Sequence, residues 1–555
     1  PVGDQSQALA VGKKVFPQST QRRQPYYLGV TDNAIRLVYS TDQQTCGINA
    51  LTAVQAAGGA LPTTDRFTRP YPTTADQQEA DRRESIQNVV KYFNEHAFDV
   101  AAYLPNIRPL MGNDPNNQLF GRHLEASFVD GGSFQCPDKT TAAAKQAAET
   151  IKGFSVFTDL LDANAGFNMA GALNAEPAPA RPMHFGTEWL SDQYYNRFAP
   201  FAWTSWATGT TVVKGWASYV CARLNGQNAS RSPDAVLAAQ KRKFGLVYPG
   251  FQEVKTLANE FKGYLNQFCG GNVVAKEIQY STDIAAAQTD ATNMIVQLKT
   301  SGVTSVLMLT DLLFPLFQMN EASRQSYHPE WIFSSFGLLD VSAIQRIYPT
   351  DETKGDFGVS NLGVPGGFGY TSGDPFTLYH SYHQVSPKDG KPCDPSSDAG
   401  MDHDPTYCKE PASMSVWYYV TLPFYGGVLF AGPDLTPQNL SNGLQAYPQT
   451  RYGGSGPTTD PRPALVGAGR GKYGFLVDNV EWRWRPDFNP PPPEGDEKGK
   501  NGWVEYPDCQ RHYILWGDQL AVNWEKGGPN DGTWCGNPKY APANSPSKDN
   551  YPRTN

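Results

Sequence analysis

Charge is scarce in this chain, and none of the short catalytic signatures is present. Only 18% of its 555 residues are Asp, Glu, Lys or Arg, and 46 basic against 54 acidic side chains leave a formal net charge of −8. Without a basic excess there is no electrostatic footprint for nucleic acid or an anionic membrane surface, which excludes both as main partners. There is no Gly-x-Ser-x-Gly elbow, no His-Glu-x-x-His and no Gly-x-x-x-x-Gly-Lys-Ser/Thr phosphate loop. The ester, metal and nucleotide chemistries that those motifs serve have no carrier, and no cofactor is expected. Glu188 with Asp192, or Asp159 with Asp162, can be paired on paper as a general acid and base. Acidic side chains this common in loops are mostly solvated or helix-capping, so a secreted hydrolase is only the third reading.

The eight cysteines show no Cys-x-x-Cys spacing and no Cys/His cluster of the zinc type. An even count without metal spacing favours disulfides, and hence a location outside the cytosol: secreted, periplasmic or at the cell surface. Of about 105 connectivities, the expected one joins nearest neighbours, because each bridge then stays inside one lobe or loop. The pairs are Cys46 with Cys136, Cys221 with Cys269, Cys393 with Cys408, and Cys509 with Cys535. No basic or apolar leader precedes Asp4, so a signal peptide is expected to have been removed. One uncharged stretch, Pro411–Pro433, is long enough to suggest a membrane span, but Pro423 and the pair Gly426-Gly427 interrupt it. It reads as a helix buried on most sides.

Aromatic residues are abundant: 28 Tyr, 28 Phe and 12 Trp. Side chains with an apolar body and a polar tip suit partly wet binding surfaces as well as cores. The organising stretch runs from Phe244 to Gly337. Its apolar runs Phe244–Tyr248, Val273–Ile278, Thr304–Leu309 and Trp331–Phe336 are separated by segments of roughly 16–22 residues with helical spacing. Met294, Ile295 and Leu298 share one helical face there, and Phe314, Phe317 and Ala322 another. Alternation of this kind implies right-handed crossovers and a parallel sheet covered on both faces, with ligands at the carboxyl ends of the strands.

A first lobe on the same plan precedes it. Ile35–Tyr39, Leu124–Val129, Gly153–Phe157 and Met183–Gly186 read as strands, with helices at 75–98, at 140–152 and around Phe167. Phe198–Trp206, aromatic and broken by Pro200, reads as an extended crossover, and the helix 211–224 follows it. Later come a return strand at Phe357–Ser360 and helices at 375–384, at 414–431 and beginning at Thr436-Pro437. Tyr473–Val477 and Val480–Trp484 read as a terminal hairpin turned by Asp478-Asn479. The expected divisions are an arm at 1–25, lobe one at 26–200 and 358–460, and lobe two at 201–357 and 461–488. A Pro-rich linker and disulfide-closed extension fill 489–555.

Several words of the sequence, in order over residues 26–487, carry a family resemblance. They are Asn94-Glu-His-Ala-Phe98, Leu119-Phe-Gly-Arg-His-Leu-Glu125, Cys136-Pro-Asp-Lys-Thr140, Leu298-Lys-Thr-Ser-Gly-Val-Thr304, Phe314–Gln325, Tyr327-His-Pro-Glu-Trp331 and the helix near Met414. Together they resemble the extracellular solute-binding proteins of the branched-chain amino acid ABC-importer group. The resemblance implies an α/β type I periplasmic-binding fold: two βαβ lobes with parallel sheets, joined by three hinge crossovers, closing on a small molecule and delivering it to a membrane ABC permease. It places ligand groups at Thr41, Asp42 and Gln44 after the first strand. Thr158 and Asp159 follow the third strand, and Thr187, Glu188 and Trp189 the fourth. From lobe two it adds Tyr248, Phe251, Asp311, Phe314 and Phe336. The pattern departs from amino acid binders where Asp159-Leu160-Leu161 replaces small hydroxyl residues, and in lacking an acidic partner for an ammonium near Leu338-Leu339. An unpaired ammonium in a closed cleft is costly, so a larger, partly apolar or aromatic ligand is expected.

Each candidate has a plainer reading. Asp311 suits a helix cap as well as a ligand contact. Tyr248 and Phe251 flank a turn at Pro249-Gly250, and Trp203 and Trp206 suit burial against the crossovers. His380 and His383 have no third metal ligand nearby, and the acidic loop between Cys393 and Cys408 lacks calcium-loop spacing. Asn228-Ala-Ser230 and Asn439-Leu-Ser441 are glycosylation acceptors only in a source that glycosylates asparagine. The rival function keeps the fold as a structural or sensory body that engages a protein partner through its C-terminal extension.

Overall fold

The computed structural model describes residues 21–41, 68, 69, 72, 74–96, 119–131, 137–158, 163–186, 189–283, 285–340, 342–361, 374–394, 397–446, 473, 474, 478–485, 502–505, 511–515, 519 and 520. The first sheet contains β1 (Ala34–Thr41), β2 (His123–Asp130), β3 (Ser155–Thr158), β4 (Met183–Gly186) and β5 (Ala202–Thr204), in the order β2-β1-β3-β4-β5. All four pairings are parallel. The second sheet repeats this order with β6 (Phe244–Pro249), β7 (Val274–Tyr280), β8 (Ser305–Met308), β9 (Glu330–Phe333) and β10 (Phe357–Ser360), as β7-β6-β8-β9-β10. These pairings are parallel as well.

Position in the sheet explains how each strand reads. Every residue of β6 is buried, whereas the edge strand β7 alternates between buried or half-buried and exposed along most of its length. A strand covered on both faces reads as a continuous apolar run, and an edge strand does not.

Helices cover both sheets. In the first lobe, α1 (Ala75–Glu95) starts at an N-cap, Thr74, and buries Ile86, Val89, Val90 and Phe93 along one face. α2 (Pro137–Lys145) runs on into a π turn at 146–150, and α3 (Ala163–Ala175) and α4 (Asp192–Phe198) follow. In the second, α5 (Gly209–Tyr219) stacks Trp216 on Phe261 of α6 (Gln252–Cys269), ring centroids 4.5 Å apart. α7 (Ala287–Thr300) and α8 (Phe314–Arg324) follow.

After α9 (Asp374–Tyr382), α10 (Met414–Ala431) returns to the first sheet. Its Phe424 packs 5.4 Å from both Phe157 and Phe185, and its Thr421 bonds the Tyr39 hydroxyl at 3.1 Å. It is therefore the buried helix expected at 411–433, and no helix among the described residues is long and apolar enough to cross a membrane. α11 (Pro437–Ala446) lies against it, with Gly427 and Gly443 at the closest approach.

The chain passes between the sheets three times: after β5, after β10, and between α11 and β11 (Asp478–Arg485), which joins the second sheet antiparallel to β10. β12 (Gly502–Glu505) and β13 (Arg511–Leu515) pair with β11, and β14 (Gln519–Leu520) pairs with β13.

Two expectations are corrected. Residues 202–204 are not an extended crossover but the fifth strand, which pairs with β4. Pro200 falls just before it, where no ladder hydrogen bond is lost. Asp478 and Asn479 do not turn a hairpin; they belong to β11, opposite Tyr513 and His512. A strand partner distant in sequence overrides a local turn preference. The disulfides Cys221–Cys269 and Cys393–Cys408 are formed as expected. Cys46, Cys136, Cys509 and Cys535 lie outside the described residues.

Candidate functional site

A parallel sheet of order 2-1-3-4-5 opens a crevice at the carboxyl ends of its strands, where the order reverses beside the first strand. Each sheet has that order, so the crevices lie beyond β1 and β3 in one lobe and beyond β6 and β8 in the other. Thr41 ends β1; it is fully buried, and its hydroxyl has no hydrogen-bond partner among the described residues. Thr158 ends β3, with its hydroxyl 3.3 Å from His184 Nε2. Trp189 follows β4, Phe336 follows β9, and their ring centroids are 5.5 Å apart. Both rings are buried, 2% and 4% exposed. Two candidates from opposite lobes thus meet directly.

The loop that carries Phe336 is shaped by backbone constraints. Gly337 has φ +66°, and a Cβ there would overlap the Thr310 carbonyl oxygen and lie 3.1 Å from Asp311 Cα. Only glycine lets the loop lie so close to the turn after β8. Leu338 is also left-handed, φ +59°, a conformation that costs a branched residue energy.

Asp311 serves the structure on both carboxylate oxygens. Oδ1 accepts the amide N–H groups of Leu313 at 2.8 Å and Phe314 at 3.0 Å, and Oδ2 accepts the Tyr280 hydroxyl at 2.6 Å. This is the capping arrangement weighed from the sequence. Burial raises the pKa of this carboxyl above the ordinary carboxylate range. Tyr280 in turn packs against Phe314, centroids 5.1 Å apart.

Tyr248 is not on a solvated turn. It is buried in β6, and its hydroxyl donates to Glu277 Oε1 at 2.6 Å, a carboxylate also held by Lys262 at 2.8 Å. Phe251 is half-buried at the start of α6. Trp203 is buried in β5 and Trp206 just after it, at the start of the first crossover, where Gly474 of the third packs against Thr204 and the Trp206 carbonyl. Asp42, Gln44, Asp159, Thr187 and Glu188 lie outside the described residues.

One group escaped the sequence reading. An acidic residue does stand beside Leu338-Leu339, Asp340, one residue on; this corrects the expectation, and an amino acid is no longer disfavoured by an unpaired ammonium. It is 3% exposed, and its Oδ2 accepts the hydroxyls of Ser335 at 2.5 Å and Ser360 at 2.6 Å. Its Oδ1 has no partner among the described residues. Burial pushes its pKa up to about 6 against the pull of the two hydroxyls. Adjacency to Leu339 was the only signal available, since its hydroxyl partners come from the ends of two different strands.

Metal-ligand types gather elsewhere. His383 stacks on Tyr379 at 3.8 Å with Nδ1 2.8 Å from the Tyr379 carbonyl, an arrangement set by packing. His328, Asp351 and Glu352 converge near the amino end of β9, away from the strand tips. There Glu352 Oε1 is 2.6 Å from His328 Nδ1, its Oε2 accepts Trp331 Nε1 at 3.0 Å, and burial pushes its pKa up to about 7. Cys393, His403 and Cys408 form a second group, with the two cysteines joined as a disulfide.

No protein-family profile matches the chain, and no curated protein sequence does. Solved structures do. The leucine-, isoleucine-, valine-, threonine-, and alanine-binding protein from Brucella ovis, in its closed conformation, aligns over 90% of this chain and 98% of its own at 9% identity and a TM-score of 0.52. A fatty acid ABC transporter substrate-binding protein from Thermomonospora curvata covers 86% of this chain and 93% of its own, at 13% identity and a TM-score of 0.50. A periplasmic binding protein type 1 from Bordetella pertussis Tohama I covers 82% and 97%, at 11% identity and a TM-score of 0.47. Identities this low speak of fold, and the chain has the type I periplasmic-binding fold.

Proposed function

We propose, from that fold and the contact across its cleft, that this chain is a non-enzymatic, secreted or surface-held solute-binding protein. It captures a small, partly apolar or aromatic molecule between its lobes and delivers it to a membrane ABC permease. The observation that carries the reading is the Trp189–Phe336 pair, one ring from the strand tips of each lobe, 5.5 Å apart. Two lobes that touch through aromatic faces can grip a ligand only by making contacts with both at once. A ligand that does so favours the closed state by its differential affinity.

Thr41, Asp42, Gln44, Thr158, Asp159, Thr187, Glu188 and Trp189 would line one wall, and Tyr248, Phe251, Asp311, Phe314 and Phe336 the other. Asp340 joins the second wall, its unpaired Oδ1 offering an acceptor to a ligand N–H or O–H. The two neighbours with the higher scores are named for amino acids and for a fatty acid. The aromatic lining here favours the apolar end of that range.

The test is a thermal-shift screen of amino acids, peptides, aromatic acids and short acyl compounds, with mass analysis of any ligand that survives purification. A ligand at 100 times its Kd should stabilise the protein by about 2.7 kcal/mol. Trp189→Ala and Phe336→Ala should abolish most of that shift. If no compound shifts the melting point and the protein assembles into large particles, the structural reading through the C-terminal extension replaces this one. Turnover of a chromogenic ester or glycoside would favour the hydrolase.

A further inference from the structure

The loop between α9 and α10 brings together two sulfurs and an imidazole nitrogen that its sequence spacing does not advertise. Cys393 and Cys408 are bonded to each other with Cα atoms 5.1 Å apart, and both are buried around Met401. His403 Nε2 lies 3.6 Å from Cys408 Sγ. Tetrahedral zinc, with Zn–S near 2.3 Å and Zn–N near 2.1 Å, sets a nitrogen and a sulfur ligand about 3.6 Å apart. The histidine therefore already stands one coordination edge from the sulfur. Its other nitrogen, Nδ1, is 3.0 Å from Asp389 Oδ2. The two are within ion-pair distance but not aligned as a hydrogen bond; a turn of the imidazole would align them, and a carboxylate so placed orients a ligating imidazole.

The frame around these atoms has bonds other than the disulfide. Cys393 N–H donates to the Gln384 carbonyl and Cys408 N–H to the Asp404 carbonyl, each at 2.8 Å. The Asp404 carboxylate accepts the Ser386 hydroxyl at 2.5 Å and the Thr406 hydroxyl at 3.0 Å. With the bridge opened, rotation about the two Cα–Cβ bonds would part the sulfurs to the ~3.8 Å that tetrahedral thiolates need.

We propose that Cys393, Cys408 and His403 form a zinc site that is the reduced alternative to the Cys393–Cys408 disulfide, with Asp389 as the positioning residue behind His403. The reductant is a dithiol: it gives two hydrogens and two electrons to the bridge, becomes a disulfide itself, and leaves two cysteine thiols. Zinc then displaces one proton from each thiol; the His403 proton that Nε2 directs at the Pro392 carbonyl, 3.2 Å away, passes through solvent to Nδ1, facing Asp389, and frees the Nε2 lone pair for the metal. The fourth position is left to water. Soft thiolates with one imidazole select zinc over calcium or magnesium. The site shares no residue with the interlobe cleft, and it forms only where a dithiol reaches the chain, since oxidising surroundings keep the bridge closed.

The full chain is reduced with dithiothreitol, desalted under argon and titrated with Co2+ and Zn2+; the oxidised chain and the Cys393→Ser/Cys408→Ser double variant serve as references. The reduced chain should bind one more zinc per molecule than either, with a thiolate-to-cobalt charge-transfer band that zinc displaces. Asp389→Asn should weaken cobalt binding about 10- to 100-fold without changing the number of thiolates. His403→Gln, whose folding is checked by near-UV circular dichroism, should lose the band's imidazole contribution and most of the affinity. Equal zinc uptake and equal spectra in the reduced chain and the double variant would overturn the proposal. So would full affinity in folded His403→Gln.

Discussion

Truncating Phe336 and Trp189, singly and together, measures whether the two lobes hold each other through these rings. Each ring is almost wholly buried. Either single change to alanine should therefore cost about 3–5 kcal/mol, the usual loss for a buried aromatic. The part that belongs to the contact between lobes is the coupling term, worth about 0.5–1.5 kcal/mol for an aromatic pair beyond its buried area. The centroids at 5.5 Å and the 43° tilt place this pair within the favourable range. Such a coupling biases the closed state by a factor of about 2 to 13, at 1.4 kcal/mol per tenfold.

The assay is a double-mutant cycle on urea unfolding, with the lobe separation followed in parallel by energy transfer between dyes placed on α1 and α7. Each single variant should widen the lobe separation, and the double variant should fall short of additive destabilisation by the coupling term. Additivity within about 0.3 kcal/mol, with an unchanged separation in all three variants, would refute a closed contact in solution and with it the grip proposed for the ligand.

Three further outcomes follow from buried groups. Glu330 is wholly buried at the start of β9 and is held by Arg242 at 2.7 and 2.9 Å and by Ser305 at 2.6 Å. Arg242→Met strands that charge and should cost about 3–5 kcal/mol in chemical unfolding, whereas a change to leucine of both partners should cost much less. The pKa of Asp340 is raised by burial to about 6, so its contribution to stability is present below pH 4 and is lost as pH rises through 6. Asp340→Asn should remove up to roughly 3 kcal/mol of that decline between pH 4 and 8, visible as a flatter dependence of the urea midpoint on pH. Gly337→Ala, at φ +66° and against the Thr310 carbonyl, should destabilise by more than about 1 kcal/mol. It should also weaken ligand binding, by moving Phe336; a neutral effect in both assays would show that the loop does not need this conformation.

Strands buried on both faces were legible as near-continuous apolar runs: β6 and β8 stand where those runs lie. The 414–431 helix was legible for the same reason, ending where Gly432 leaves helical geometry. β5 and β11 were not. Their identity depends on partners supplied by β4 and by β10, and a short strand with a proline before it or an Asp-Asn pair inside it has no local signature of its own. The candidate site was less legible. Thr41, Thr158 and Trp189 were named through the family resemblance, whereas the engagement of Asp311 with Tyr280, and of Tyr248 with Glu277, depends on neighbours 31 and 29 residues away.

The order of apolar runs and helical faces was enough to determine two βαβ halves of like plan and where the carboxyl ends of their strands lie, because periodicity and burial are properties of each segment. Which side chains meet at those ends was decided by the fold alone. Trp189 reaches Phe336, Asp340 gathers hydroxyls from two strands, and His403 comes beside Cys408, since contact and desolvation depend on distances that no stretch of sequence contains.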